Sequence, residues 1–147
     1  MPHLLLFVPC ERVILAEDQT VSLLTVVETL QLEVAPDHQV PEDSDLLVPF
    51  VWQAISLWTK DPDDPPQFEF EQNLQLEMPD GSVPIQLSLT TQFVPDKMNC
   101  RGIFKILGFP VVRETGTANV KLLARVGGKD WFKAGSIPIL LKVPPKQ

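Results

Sequence analysis

The sequence contains no tyrosine, only two cysteines and two histidines, and few positive charges. The cysteines and histidines show neither CxxC nor HxxxH spacing, which argues against a structural zinc site. Twelve basic residues against nineteen acidic ones give a net charge of −7. This balance argues against non-specific nucleic-acid binding, because such binding depends on a basic surface.

Long hydrophobic runs are also missing. The apolar run nearest the start covers residues 4–8, which is too short for a secretory signal or a membrane span, and no Lys or Arg precedes it. We therefore expect a cytoplasmic protein with no membrane partner. In that compartment Cys10 and Cys100 are expected to be free thiols that serve as small hydrophobic side chains.

The remaining composition is that of a folded protein. A chain of 147 residues, 44% hydrophobic and 21% charged, suits a single domain spanning 1–147 with its own core. Its fifteen prolines disfavour a helical bundle, since proline interrupts helices.

Strand signals dominate the chain. Four stretches alternate apolar and polar residues with a period of two: 68–77, 83–93, 117–126 and 137–143. In 117–126, for example, Val120 and Leu122 are expected to face inward and Lys121 outward. Strands with one buried apolar face and one solvent-exposed polar face are typical of antiparallel sheets. For 99–105, where a short helix is the alternative, we also favour a strand.

Turn signals separate these strands. Pro79-Asp80-Gly81 and Gly127-Gly128 predict tight hairpins, because such turns need positive φ. The segments 35–49 and 60–66 are predicted to be polar loops.

Residues 20–34 change the phase of their alternation, which indicates a bulge or a strand that passes from one sheet to the other. Taken together, the patterns predict an all-β protein: an antiparallel β-sandwich of seven or eight strands, Ig-like or C2-like in architecture.

Part of the sequence resembles an uncharacterised bacterial family of small single-domain β-sandwich proteins, a domain of unknown function. The resemblance is carried by residues 9–14, the acidic turn Glu17-Asp18, residues 21–24 and 26–30, and the hairpin Pro79-Asp80-Gly81. A closing strand like 136–143 is usual there. The chain departs from the family pattern after Leu24, where Thr25 and Val26 replace a glycine. The resemblance implies a β-sandwich and transfers no catalytic residue.

Catalytic and metal signals are sparse. The sequence has no Gly-x-Ser-x-Gly motif, and His3 and His38 are expected to be solvated, so we do not expect an enzyme and assign no cofactor. Asp61, Asp63 and Asp64 are weak candidates for Ca²⁺ ligands, since Ca²⁺ prefers carboxylate oxygens. They lack the Asp-x-Asp-x-Asp-Gly spacing, and a plain acidic loop is the simpler interpretation.

Two tryptophans share one face of a predicted strand. If Val51, Ile55 and Leu57 form its buried face, Trp52 and Trp58 project outward as a stacking platform for a sugar or peptide. The strand is apolar on both faces, however, as a covered central strand would be, and we favour burial of both indoles.

Charge is strongly segregated. Residues 1–96 hold 17 acidic and 2 basic residues, whereas 97–147 hold 2 acidic and 10 basic ones. Arg101 and Lys105 are expected to share one sheet face, as are Lys121 and Arg125. These four residues either pair with the acidic strand 67–77 or form a basic patch for an acidic partner, such as part of a second copy.

We accordingly expect a non-catalytic domain that acts through protein–protein binding or assembly, including self-association. The alternative is a calcium- or ligand-dependent recognition module that uses the loops at 35–49 and 60–66.

Overall fold

A computed structural model describes residues 1–17, 20–27, 29–31, 47–110 and 115–142. Nine strands follow one another in these segments: β1 (His3–Leu15), β2 (Val21–Val26), β3 (Thr29–Gln31), β4 (Leu47–Thr59), β5 (Phe68–Glu77), β6 (Ile85–Phe93), β7 (Asn99–Pro110), β8 (Gly116–Val126) and β9 (Phe132–Lys142). No helix in the described part of the chain is long and apolar enough to cross a membrane.

The strands form two sheets. One has the order β2-β1-β4-β7, and the other has the order β3-β9-β8-β5-β6. Every neighbouring pair is antiparallel except β3 with β9, where the three-residue β3 pairs in parallel. The eight longer strands therefore make the predicted antiparallel β-sandwich, with four in each sheet.

Alternate side chains of the strands fill one core between the sheets. On β8, Val120 and Leu122 are fully buried, whereas Lys121 between them is partly exposed. Both sheets contribute to this core, in which the bulkiest buried residues are Phe7, Trp52, Trp58, Phe70, Phe93, Phe104 and Phe109. The predicted inward and outward faces of 68–77, 85–93 and 117–126 are confirmed. Val83, predicted to begin the alternating strand 83–93 on its inward face, instead lies before β6 and is 40% exposed.

Residues 21–31 pass from one sheet to the other. β2 pairs with β1 in the four-stranded sheet, and β3 pairs with β9 in the five-stranded sheet. Between them Val27 is buried, and its N–H donates to the carbonyl of Pro9 at 2.9 Å. The phase change in the sequence thus marks a strand that switches sheets.

Both predicted hairpins are present. Gly81 has φ +86°, and Gly127 and Gly128 have φ +61° and +73°. Such values are open to glycine because it has no Cβ. The segment 99–105 is a strand, as favoured from the sequence, and lies within β7.

One predicted loop is too long. Residues 47–49 belong to β4, where Leu47 and Val48 pair with Pro110 and Phe109 of β7. The boundary was wrong because proline is usually a loop signal. Pro49 lies where the register shifts between Val48 and Val51, and a strand tolerates a residue without an N–H at such an irregularity. The rest of that loop, 35–46, lies outside the described residues. Residues 60–66 form a loop between β4 and β5, as predicted.

Candidate functional site

Trp52 and Trp58 lie in the core, so they form no stacking platform. Both are fully buried. The Nε1–H of Trp52 donates to the carbonyl of Gly108 at 3.1 Å, and that of Trp58 donates to Oε1 of Gln72 at 3.0 Å. Burial is favourable because each indole removes a large apolar area from water while its one polar group is satisfied. The preferred interpretation from the sequence is confirmed, and the binding role for these residues is wrong.

The four basic residues do not form one patch. Arg101 and Lys105 project from β7 in the four-stranded sheet, and Lys121 and Arg125 project from β8 in the five-stranded sheet. Each pair shares one face, as predicted. The two outer faces lie on opposite sides of the sandwich, however, so a combined surface of all four residues is excluded.

Lys121 and Arg125 pair with carboxylates of the neighbouring strand β5. The Nζ of Lys121 lies 2.6 Å from Oε2 of Glu77, and the Nε of Arg125 donates to Oε2 of Glu71. The guanidinium of Arg125 also stacks 4.5 Å from the centre of the Trp131 ring. For this pair of basic residues, internal cross-strand pairing is the correct interpretation.

A shallow depression of about 160 Å³ lies beside this cluster, lined by Glu71, Ser88, Leu89, Thr90, Arg125 and Trp131. Trp131 is the partly exposed tryptophan that the sequence analysis did not single out. Because Glu71 and Arg125 neutralise each other, the depression offers a ligand no net charge.

Two of the loop aspartates, Asp61 and Asp64, bind polar groups of the chain itself. Oδ1 of Asp61 lies 2.7 Å from Nε2 of the exposed His3, and both Asp61 and Asp64 bind the amino group of Met1, at 3.1 and 2.5 Å. The hydrogen bond from that amino group is the main cause that lowers the pKa of each carboxyl. Asp63 takes no part in this cluster.

A metal needs several ligands that converge. Within the described segments, no three His, Cys, Asp or Glu side chains are placed to hold one. His38 and the acidic residues of 35–46 lie outside the described part of the chain.

The two thiols lie on opposite faces of the four-stranded sheet and are free. Cys10 pairs with Gln53 on the outer side, and Cys100 pairs with Trp58 on the core side. Desolvation raises the pKa of both thiols, and that of Cys100 reaches about 12.

The outer face of the four-stranded sheet is largely apolar, although Gln53 and Thr59 of β4 also lie on it. This apolar surface was not predicted from the sequence. Val51 of β4 and Leu107 of β7 are opposite each other and are 59% and 74% exposed. Leu6 of β1 is 41% exposed and lies opposite Leu57. We call this surface the apolar face and define it by seven outward residues: Leu6, Val8, Val51, Ile55, Leu57, Ile103 and Leu107.

A signal for this face was present in the sequence. β4 is apolar at both parities, and such a pattern was interpreted as a strand covered on both sides. The centre of the face is indeed closely packed, since Ile55, between Val8 and Ile103, is only 3% exposed. Val51 and Leu107 remain open to solvent, which a strand pattern by itself does not reveal.

The opposite outer face, on the five-stranded sheet, is polar. Asn73 is its centre: its Nδ2 donates to Ser88 Oγ at 2.9 Å, and its Oδ1 accepts from Gln75 and Gln86 at 2.9 and 3.1 Å. The sandwich therefore has one outer face whose polar side chains hydrogen-bond to one another and one outer face that exposes aliphatic side chains.

The apolar face carries positive charge at its margins. Arg101 and Lys105 alternate with Ile103 and Leu107 along β7, and the exposed Arg12 lies across the sheet on β1. No acidic side chain of these four strands projects on that side within the described residues. The described residues of this face thus carry a local positive charge in a protein of net charge −7.

Comparisons with known proteins add little. No family model matches the chain, and no curated protein matches it. Among solved structures, the N-terminal domain of PorA aligns with 95% of this chain and 98% of its own length, at 10% identity and a TM-score of 0.31. A likeness of that size carries no functional argument, and the resemblance to a bacterial family stays a prediction.

Proposed function

We propose that the protein is a non-catalytic binding or assembly domain that contacts another protein through the apolar face. The observation that carries the proposal is the cross-strand pair Val51 and Leu107, two large aliphatic side chains exposed side by side at 59% and 74%. Single exposed hydrophobic residues are common on protein surfaces, whereas an adjoining pair makes a larger apolar patch of the kind found at interaction sites. The paired Gln53 and Lys105 lie between this patch and the row formed by Ile55 and Ile103.

The geometry of the face suits a protein partner. The side chains stand on three paired strands, so their positions are set by the sheet and little conformational entropy is lost on binding. Burial of apolar side chains against a partner is a main source of protein–protein affinity.

Site-specific photocrosslinking tests the proposal. A photoreactive amino acid replaces Leu107 in one variant and Gln92, which is exposed on the outer face of β6, in a control. We expect a discrete crosslinked species from position 107 that position 92 does not give. The captured protein, once purified, must bind the wild-type chain and bind Leu107→Ser at least about tenfold more weakly. Equal crosslinking at both positions contradicts the proposal.

A further inference from the structure

We infer that the apolar face accepts an amphipathic, acidic protein segment, in which carboxylates border an apolar stripe. This inference rests on the proposed function and adds the chemistry of the partner. It follows from where the charged side chains lie relative to the exposed hydrocarbon.

The cations lie at the margins of the face. Along β7 the outward order is Arg101, Ile103, Lys105 and Leu107, so a cation and an aliphatic side chain alternate about every 7 Å. Arg12 is exposed on the far side of the sheet, on β1. A partner that places its own apolar side chains over Leu107 brings its flanking groups within reach of Lys105.

Carboxylates are the flanking groups that this arrangement favours. Opposite charges at the rim of an interface speed association and fix orientation, whereas like charges across it are unfavourable. Because the chain as a whole is acidic, the attraction is local and acts over about one Debye length, close to 10 Å at 0.1 M salt.

A second copy fits this face poorly. Two chains joined through the same face would bring Arg12 and Lys105 of both copies together, with no acidic side chain of the described strands between them. The polar face of a second copy offers few carboxylates, because Glu71 and Glu77 of β5 already pair with Arg125 and Lys121, which leaves Glu69 as the exposed one on that strand.

Two designed peptides test the inference with the full chain. Both are amphipathic helices with the same leucine stripe, and one carries glutamate and the other lysine at every flanking position. Affinities are measured by calorimetry at about 0.05 M and 0.5 M salt. We expect the glutamate peptide to bind at least about tenfold more tightly at low salt, and this preference to shrink at high salt.

Three variants locate the effect. Arg12→Glu/Lys105→Glu should abolish the preference for the glutamate peptide, and Leu107→Ser should weaken binding of that peptide. The control Lys129→Glu/Lys133→Glu makes the same charge change in the β8–β9 turn and at the start of β9, where both lysines are exposed, and should leave both affinities unchanged. Thermal melting confirms that each variant is folded.

The failures are distinguishable. If both peptides bind equally and Leu107→Ser weakens both, the acidic partner is wrong and the binding face stands. If the chain self-associates in sedimentation and Leu107→Ser makes it monomeric, the occupant is a second copy and the inference is overturned. If neither peptide binds, or if Leu107→Ser has no effect, both the inference and the use of this face are contradicted.

Discussion

The hydroxyl of Ser56, in the four-stranded sheet, donates a hydrogen bond of 2.6 Å to Oε1 of Gln72, in the five-stranded sheet. This bond crosses the core and joins the two layers. The same oxygen accepts from Trp58 Nε1 at 3.0 Å, and Gln72 Nε2 donates to Thr91 Oγ1 at 2.6 Å. Gly102 leaves room for this amide, since a Cβ there would lie 2.6 Å from Gln72 Nε2.

We predict that Gln72→Leu lowers the free energy of unfolding by about 3 kcal/mol. The hydroxyl of Ser56 and the indole N–H of Trp58 lose their acceptor in a dry core, and each unsatisfied buried group costs about 1–3 kcal/mol. Urea unfolding measures the loss. The same substitution at the exposed Gln92 should change stability by less than about 0.5 kcal/mol. Similar losses at the two sites would show that the hydrogen bonds of Gln72 contribute little to the stability of the fold.

Gly81→Val should destabilise the protein by roughly 1 kcal/mol or more, because a β-branched residue is strained at positive φ. A Cβ at Gly81 meets no atom within 4 Å, so backbone strain alone is tested. Gly81→Asn is the matched control, since asparagine tolerates positive φ better. Thermal unfolding compares them, and equal losses for valine and asparagine would contradict the strain argument.

The Asp80 carboxyl in the same hairpin should titrate below its usual pKa of 3.8. Its Oδ1 accepts from the hydroxyl and the N–H of Ser82, at 2.6 and 2.9 Å, and these bonds favour the ionised form. A lowered folded pKa means that the stabilising effect is present above the unfolded value and is lost as pH falls through the folded one.

NMR titration of the Asp80 carboxyl checks this prediction. Ser82→Ala removes the hydroxyl donor and should move the midpoint upward, while Ser88→Ala, on the outer face of β6, should not. A midpoint that Ser82→Ala leaves in place would assign the lowered pKa to another cause.

Lys121→Glu should lower stability by about 0.5–1 kcal/mol, because it replaces the ion pair with Glu77 by a repulsion between two carboxylates. The reversed pair, Glu77→Lys/Lys121→Glu, should regain most of that loss in urea unfolding. High salt should reduce both the loss of stability in Lys121→Glu and its recovery in the reversed pair. A reversed pair as unstable as the single variant would mean that packing of the lysine stem matters more than its charge.

Both thiols should react slowly with a disulfide reagent in the native protein and rapidly in urea. Reaction requires the thiolate, and burial raises the pKa of Cys100 to about 12 and also raises that of Cys10. A reductant should leave Tm unchanged. A bridge closing a loop of about 90 residues would contribute about 4 kcal/mol, so a fall in Tm on reduction would contradict both the free thiols and the expected cytoplasmic location.

The elements that the sequence determined are those set by local geometry. A period of two places Val120 and Leu122 on one side of a strand in any fold, because successive side chains point to opposite faces. Gly81 and Gly127 indicate hairpins because positive φ is a local requirement. The sheet switch near Val27 was visible for the same reason, as a change of phase.

The tertiary structure alone decided what covers each face. The alternation pattern does not show which face of β4 is buried, because the strand is apolar on both faces. In the structure the indoles of Trp52 and Trp58 are buried in the core, and Val51 is exposed to solvent. Pairing separated Lys105 from Lys121 by placing β7 and β8 in different sheets. Gln72 lies at a core position because side chains of two other strands, β4 and β6, satisfy its amide there. These outcomes depend on contacts between residues distant in sequence, which periodicity does not encode.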